Sequence, residues 1–292
     1  MAVTVGDPLA AVRTRVADTI RGLVGGDETV PERSTPARPG LFAPDSITRM
    51  VHGDPAMFIG GLRALLLQTL HPLAMAGVAD HSDYRSDPWG RLRRTGSFIG
   101  VTTYGTEDQA RAMIDRVRRI HGRVNGTAPD GRRYDANDPH LLAWVHVTEV
   151  DSFLAAYQRY GRGEPLAVGD VDRYLSEMAV VAELLGAAPV PESRDELRRW
   201  VRRIRPELAV GDQARDAVRF LLTPPVAIAA RPVYGVVGAA AIALLPPWAR
   251  RKLWLPVAPM VDPLLVRPAA RALLAGLDWA LAPGRPPERP AA

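Results

Sequence analysis

The segment that most constrains this sequence is residues 56–70, which are apolar on almost every face. The segment reads AMFIGGLRALLLQTL, and only Arg63 and Gln68 interrupt it. A helix that is apolar all round has no face suited to water, so other elements have to surround it. The segment therefore predicts a central helix in a core built from several helices.

Amphipathic or apolar helical patterns follow one another along most of the chain. Cap residues mark several starts: Asp87 before Pro88, Asp138, and Thr106 with Gln109 as a capping box. No strand-rich region and no internal repeat is visible, which predicts an all-α fold. Further helices are predicted over 8–24, 106–126, 139–160, 169–186, 193–204 and 211–222. The stretch 96–105 fits either a short extended segment or an irregular helix end, and 125–138 is predicted as a loop.

The predicted organisation has three parts. Residues 1–45 form an N-terminal helix and a proline-rich linker, 46–281 one all-α domain, and 282–292 a disordered tail that is too rich in proline and charge to bury a core. Residues 1–24 hold Asp7, Asp18 and several arginines without an apolar run, so no secretory signal is predicted and a cytoplasmic location is expected.

Residues 226–245 leave two interpretations open. Twenty mostly apolar residues are long enough to span a bilayer, but Arg231 and Pro232 fall inside them. One interpretation is two buried helices that line an apolar cavity. The other is a membrane-embedded or surface-docked segment, which would give the protein a peripheral membrane contact.

Composition excludes several classes of function. The chain has no cysteine, which excludes disulfides, cysteine-bound zinc, iron–sulfur clusters and a thiolate-bound haem. The formal net charge is +5, with Lys252 as the single lysine. Arginine in place of lysine, with much Ala, Gly and Pro, is typical of a GC-rich bacterial genome. Because the arginines are scattered along helices and not clustered, nucleic-acid binding is not expected.

Histidine is the residue type in this sequence best suited to bind a metal or take part in catalysis. His121 lies four residues after Val117 and three before Val124, on the apolar stripe of the helix predicted over 106–126. The pattern fits a histidine held in the core by hydrogen bonds. It also fits a single proximal ligand of haem iron in an apolar slot between helices, where arginines would pair with the propionates.

Two other histidine patterns have competing interpretations. His71, Asp80 and His81 could bind a metal across a turn, or could serve only as turn and cap residues. His146 lies on an apolar helix, which favours a hydrogen-bonded core histidine.

Three blocks in order carry a resemblance to a known family: GGLRALLLQTLHPLAMAGVADHS, DPWGRLRRTGSFI and HGRVNGTAPDGRRYDANDPHLLAWVHVTEVDSFL. Over residues 45–250 the chain resembles the MpaB and rubber oxygenase (latex clearing protein) family. The resemblance implies a single globin-like, all-α domain with a buried apolar cavity for haem b. It also implies an oxygenase that uses O₂ on a hydrophobic substrate, such as by oxidative cleavage of a C=C bond in an isoprenoid.

The resemblance also implies site residues. His121 matches the proximal iron ligand, and Arg91, Arg94 and Thr95 match a distal Arg-x-x-Lys-Thr motif. Arg94 stands where the family has a lysine that can ligate iron, and a guanidinium that stays protonated cannot readily do so. Arg94 would instead bind a haem propionate or donate to bound O₂. Together, Arg91, Arg94 and Thr95 would be distal or propionate-side groups that steer O₂ and polarise its bound form.

The substrate expected from this resemblance is a lipid-, terpenoid- or quinone-like molecule. The apolar helices over 56–70, 139–157 and 226–245 would shape a tunnel for it. Three alternatives remain. These are a non-catalytic haem- or lipid-binding protein of the same fold, a non-haem metalloenzyme using His71, Asp80 and His81, and a structural or membrane-associated interaction protein. The sequence predicts no oligomeric state.

Overall fold

The computed structural model describes residues 38–256 and 261–281. The predicted helix over 8–24 and the predicted tail over 282–292 lie outside these ranges. The division into 1–45, 46–281 and 282–292 therefore stays a prediction.

Within these ranges the fold is all-α, as predicted, with one small two-stranded sheet. The helices and strands in chain order are α1 Ile47–His52, α2 Met57–Gln68, α3 Pro72–His81, α4 Pro88–Tyr104, α5 Glu107–His121, β1 Asn125–Thr127, β2 Arg133–Asp135, α6 Pro139–Tyr160, α7 Val168–Leu185, α8 Arg194–Ile204, α9 Asp212–Leu222, α10 Arg231–Leu244, α11 Pro247–Lys252 and α12 Arg267–Leu281. Short 3₁₀ turns at Arg205–Glu207 and Ile228–Ala230 and a π turn at Asp262–Val266 connect some of them.

The core forms around α2, which packs along α6. Ile59 and Leu66 of α2 are fully buried. Gly60 allows the close approach, because a Cβ there would lie only 3.0 Å from Phe153 Cδ1 and from the Ser152 carbonyl oxygen. The prediction of a central helix is confirmed, and its physical basis is an apolar surface that other helices cover on all sides.

The charge inside α2 is fully satisfied. Arg63 is 5% exposed and donates to Asp151 Oδ2 at 2.7 Å and to Ser152 Oγ at 2.7 Å. Its Nε donates to the Leu244 carbonyl at 3.0 Å, which ties α10 to the same place. A buried cation needs this number of acceptors, since an unpaired one would cost several kcal/mol.

The predicted caps hold the helices where expected. Asp138 accepts from the backbone N–H groups of His140 and Leu141, and Thr106 and Gln109 form the capping box that starts α5. Asp87 accepts from Gly90 N–H at the start of α4. The stretch 96–105 is the end of α4, so the helical interpretation of it is correct.

The helix predicted over 106–126 ends five residues early, at His121. Gly122 caps it, and the chain turns into β1, so Val124 is not on the helical stripe. Among the apolar residues of this helix, Ala110 and Ile114 are buried, whereas Ile120, one residue before His121, is 54% exposed.

The predicted loop over 125–138 contains a β-hairpin. Asn125 pairs with Asp135 and Thr127 with Arg133 in antiparallel register. Asp130 and Gly131 make the turn, and Gly131 has φ +85°, a conformation that glycine adopts without a Cβ penalty.

Residues 226–245 contain one helix, α10, and not two. Ala240 and Ala241 are fully buried, but Ile228 and Val233 near the start are 79% and 46% exposed. Burial of the whole segment was therefore a wrong prediction for its first half.

Among the described helices, none alone combines the length and apolar character needed to cross a bilayer. The consecutive helices α2 and α3 meet that criterion only together, by length and composition, and they are bent by 105° where they join. Core helices such as α2 have the same composition.

Candidate functional site

His121 is the last residue of α5, at the point where the helix stops. Its ring is partly buried, and Nδ1 has no hydrogen-bond partner among the described residues. Burial lowers the pKa of His121, and the charge of Asp135 opposes this effect only in part. The ring is therefore neutral at pH 7, which is the form of imidazole that binds metals.

Arg91 lies in the first turns of α4 and is partly buried. Its Nη1 donates to the Ser82 hydroxyl at the C-terminal end of α3. Burial lowers the pKa of Arg91, and the nearby charge of Arg94 lowers it further. Within the described part of the chain, Arg91 makes no ion pair with a carboxylate. A partly desolvated cation of this kind has unused capacity for an anionic partner.

Arg94 and Thr95 are more exposed than Arg91. The Arg94 side chain is 63% exposed and lies 3.5 Å from Asp87 Oδ2. Thr95 Oγ1 donates to the Arg91 carbonyl at 3.2 Å, so its hydroxyl proton is already used within the helix. Arg91, Arg94 and Thr95 share one side of α4, as their i, i+3 and i+4 spacing requires.

The C-terminal half of α3 lies between the two predicted sets of residues. Ser82 contacts Arg91 on one side. On another side, a Cβ added to Gly77 would lie 3.7 Å from Val124 Cγ1, and the Val124 N–H donates to the His121 carbonyl. Arg91 and the segment that follows α5 therefore both contact α3, Arg91 at Ser82 and Val124 at Gly77.

The β-hairpin is joined to α3 by hydrogen bonds among three side chains, those of Tyr134, Asp80 and His81. Tyr134 of β2 donates to Asp80 Oδ2 at 2.6 Å, and His81 Nε2 lies 3.1 Å from the same hydroxyl. Burial raises the pKa of Tyr134 to about 12, and the Asp80 carboxylate adds to this rise. The hydroxyl therefore stays protonated, and it anchors the hairpin to α3 next to the His121 helix end.

The residues present meet two requirements of a haem. The iron needs a neutral imidazole with an unpaired nitrogen, which His121 provides. The propionates need cations that are not already paired with a carboxylate, and Arg91 meets that description within the described part of the chain. Arg94 is exposed and held only loosely by Asp87, so it suits an anion at the surface.

A buried apolar cavity for haem was also predicted, and a large cleft of the described structure lies away from His121. It has a volume of about 660 Å³ and involves Arg63 and Asp151, together with apolar side chains of α6, α7 and α8 such as Leu154, Val171 and Leu197. The predicted tunnel walls are matched only in part: α6 lines this cleft, α2 contributes Arg63 alone, and α10 contributes no lining residue. His121, Arg91, Arg94 and Thr95 do not line it either. Four exposed arginines, at positions 194, 198, 202 and 205, also line it.

The metal site predicted from His71, Asp80 and His81 is wrong as a group. His71 precedes the first residue of α3 and His81 is its last, so a ten-residue helix of roughly 15 Å separates them. His71 instead faces His140 and Glu207, and the possible ligand atoms of these three lie within 4.8 Å of one another. Sequence reasoning missed this group because its members come from three separate segments.

Three further titratable groups lie in the core, where His52 and His146 are buried and Glu149 is partly buried. His52 Nδ1 pairs with Thr103 Oγ1 at 2.8 Å, and burial lowers its pKa to about 3. Burial also lowers the pKa of His146 to about 4, and raises that of Glu149 to about 7. His146 is a core residue, as favoured, but its Nε2 has no hydrogen-bond partner within the described ranges.

Comparison with known proteins places the chain in a family. The family described as "ER-bound oxygenase mpaB/B'/Rubber oxygenase, catalytic domain" matches residues 49–276. Uncharacterized proteins of Mycobacterium bovis and Mycobacterium tuberculosis are each 35% identical to it over 66 residues, which are 23% of this chain and 26% of each relative. The match thus spans about a quarter of these curated relatives. No solved structure matches the chain. Since the family covers most of the chain, including both α4 and α5, the protein belongs to the MpaB and rubber oxygenase family of oxygenase catalytic domains.

Proposed function

We propose that this protein is a haem b-dependent oxygenase that uses O₂ on a hydrophobic, isoprenoid- or lipid-like substrate. The observation that carries the proposal is His121: a neutral, partly buried imidazole with an unpaired Nδ1, in a chain of an oxygenase family. Oxidative cleavage of a C=C bond is the reaction that the family resemblance favours.

Each residue of the site has a role in this proposal. His121 would hold the iron through one ring nitrogen, and the charge of Asp135 near the ring would increase its basicity. Arg91 would bind a propionate, because its guanidinium is partly desolvated and, among the described residues, it pairs with the Ser82 hydroxyl and with no carboxylate. When bound, haem supplies the redox chemistry with O₂ that the side chains of this protein lack.

Arg94 takes a different role from the lysine it replaces. A guanidinium remains protonated at ordinary pH and has no lone pair to offer a metal. Its exposed position, with Asp87 at 3.5 Å, lets it swing toward an anionic group. We therefore assign Arg94 to binding a propionate or steering O₂, and Thr95 to supporting the helix turn that presents both arginines.

The absorption spectrum of the purified protein tests the proposal. Wild-type protein expressed with a haem precursor should show a Soret band, and the pyridine haemochrome assay should identify haem b. His121→Ala should lose the band, whereas the matched control His140→Gln should retain it, because His140 is half-exposed and lies near Glu207. Absence of haem from the wild type, or an unchanged spectrum in His121→Ala, would refute the assignment.

A non-catalytic haem- or lipid-binding protein is the second candidate. The 660 Å³ cleft favours it, because apolar walls together with arginines suit a fatty acid or similar anionic amphiphile. Oxygen uptake with a panel of isoprenoids separates the two. Turnover with any of them supports the oxygenase, and haem without turnover supports the binding protein.

A further inference from the structure

His71, His140 and Glu207 form a compact donor group in the described part of the chain, well separated along the sequence from His121. His71 precedes α3, His140 is in the first turn of α6, and Glu207 ends the 3₁₀ turn after α8. The two imidazoles approach the same carboxylate oxygen. His140 Nε2 lies 3.0 Å and His71 Nε2 3.8 Å from Glu207 Oε2.

His71 is the unusual member of this group. Its side chain is 1% exposed, and within the described ranges neither ring nitrogen has a hydrogen-bond partner. Glu207 Oε2 lies 3.8 Å from His71 Nε2, which is beyond hydrogen-bond distance. Leaving a buried polar group unpaired costs roughly 1–3 kcal/mol, so an ordinary core histidine would be expected to have at least one partner. His140 and Glu207, which are both half-exposed, pair with each other at 3.0 Å. Their pairing does not give His71 a hydrogen bond, so the cost of burying its ring nitrogens remains.

A single cation would remove that cost. Ligand atoms around a tetrahedral zinc ion, at about 2.0–2.2 Å from the metal, lie roughly 3.4 Å from one another. The three candidate atoms are already within 4.8 Å of one another, so a small side-chain adjustment brings them into range. Nearby, Arg132 contributes opposing positive charge, but it is bound to Asp130 through two hydrogen bonds at 3.0 and 2.7 Å.

We propose that His71, His140 and Glu207 bind one divalent transition-metal ion, with Zn²⁺ the ion that fits best, and that the fourth position is open to water. Two imidazoles and one carboxylate are a typical three-ligand zinc set. They are poor ligands for Mg²⁺ or Ca²⁺, which require mostly oxygen. The ion would join three segments that also meet through the hydrogen bond from Ala209 N–H to the Leu70 carbonyl.

The surrounding aromatic rings give the site its own optical signal. The Trp144 ring lies 6.2 Å from His71, the Trp200 ring lies 5.8 Å from His140, and the two indoles stack at 6.3 Å. Metal binding should therefore change tryptophan fluorescence, and Co²⁺ should give visible absorption bands that report nitrogen and oxygen coordination.

The test uses the full chain without a histidine tag, treated with a chelator and then titrated with Zn²⁺, Co²⁺ and Mg²⁺ by calorimetry. Wild type should bind one Zn²⁺ and no Mg²⁺. His140→Gln and Glu207→Gln should each weaken Zn²⁺ binding by at least about 10–100-fold, since even indirect partners of a metal contribute that much. Both positions are half-exposed, so these variants should fold. The matched control Glu183→Gln, at an exposed carboxylate of α7, should bind as wild type.

Two results would overturn the proposal. One is the absence of stoichiometric Zn²⁺ binding by the wild type, and the other is equal affinity in the wild type and both ligand variants. The proposal does not depend on haem, and the variants show this separation. His121→Ala should keep Zn²⁺ binding, and His140→Gln should keep the Soret band.

Discussion

Replacing the buried carboxyl group of Glu149 should stabilise the protein at high pH and not at low pH. Glu149 lies in the middle of α6, and Gln68 of α2 donates a hydrogen bond to it. Burial raises its pKa from 4.5 to about 7, although that hydrogen bond opposes the rise. The native state therefore prefers the protonated acid, whereas the unfolded chain ionises it at ordinary pH.

The sign and size of the effect follow from proton linkage. Between pH 4.5 and about 7 the native state holds a proton that the unfolded state has released, so the free energy of unfolding falls as pH rises. At about 1.36 kcal/mol for each pH unit, the full loss above pH 7 is about 3 kcal/mol. Residual solvent contact of the carboxyl reduces the expectation to about 2 kcal/mol. Glu149→Gln cannot ionise and avoids this loss.

Urea unfolding at pH 4, 5, 6, 7 and 8 measures the difference, with the haem content of all samples matched. Glu149→Gln should equal the wild type near pH 4 and exceed it by about 2 kcal/mol at pH 8. The exposed control Glu183→Gln should show no such trend. A difference between Glu149→Gln and wild type that stays constant across this pH range would refute the reasoning.

Three further predictions concern local features of the fold. Asp138→Ala should lower the free energy of unfolding by about 1 kcal/mol, while Asp138→Asn should retain most of it, because the side-chain oxygen accepts from two N–H groups at the start of α6; urea unfolding at pH 7 measures both. Gly186→Ala should destabilise the protein by about 1–2 kcal/mol, because Gly186 has φ +100°. The control Gly169→Ala, in the open first turn of α7, should not destabilise it. Equal melting temperatures of the two variants in thermal unfolding would contradict this prediction. Between pH 7 and 5 the free energy of unfolding of the wild type should fall by roughly 1–2 kcal/mol more than that of His146→Gln. Burial lowers the pKa of His146 in the native state, so the unfolded state takes up the proton first as pH falls. Parallel profiles of unfolding free energy against pH would contradict this prediction.

The helical framework was predictable because its signals are local. The apolar run of α2 and the caps at Asp87, Thr106 and Asp138 act within a few residues, so the chain alone defines them. The hairpin was missed because three-residue strands are too short to show an alternating pattern. The Asp130–Gly131 pair was its one local signal.

The candidate haem residues were predictable only in part. Periodicity placed His121 on the inner side of its helix but extended that helix past Gly122, and the resemblance supplied its proposed role. The difference between partly buried Arg91 and exposed Arg94 was not visible in the sequence. The partner of Arg91, Ser82, comes from the end of another helix.

The histidine group at the other end of α3 shows a stronger limit of sequence reading. His140 and Glu207 are 67 positions apart. The predicted metal site joined His71 to Asp80 and His81 because those residues are close to it in sequence. In a helix, however, residues ten positions apart are separated by about 15 Å, while distant segments can bring side chains into contact. Proximity along the chain therefore misled the search for metal ligands.

Helix α3 places the two proposed centres at its opposite ends. The His71 group lies at its start, and Ser82, with Arg91, lies at its finish. The hairpin runs beside both, since the charge of Arg132 acts on His71 and Glu207 and the charge of Asp135 acts on His121. Because α3 and the hairpin contact both centres, binding of a ligand at one centre should stabilise the segments that form the other. The two centres share no ligand residue. Loss of either histidine ligand should then remove its own cofactor and leave the second bound, and loss of both cofactors together would identify a variant that has lost the fold.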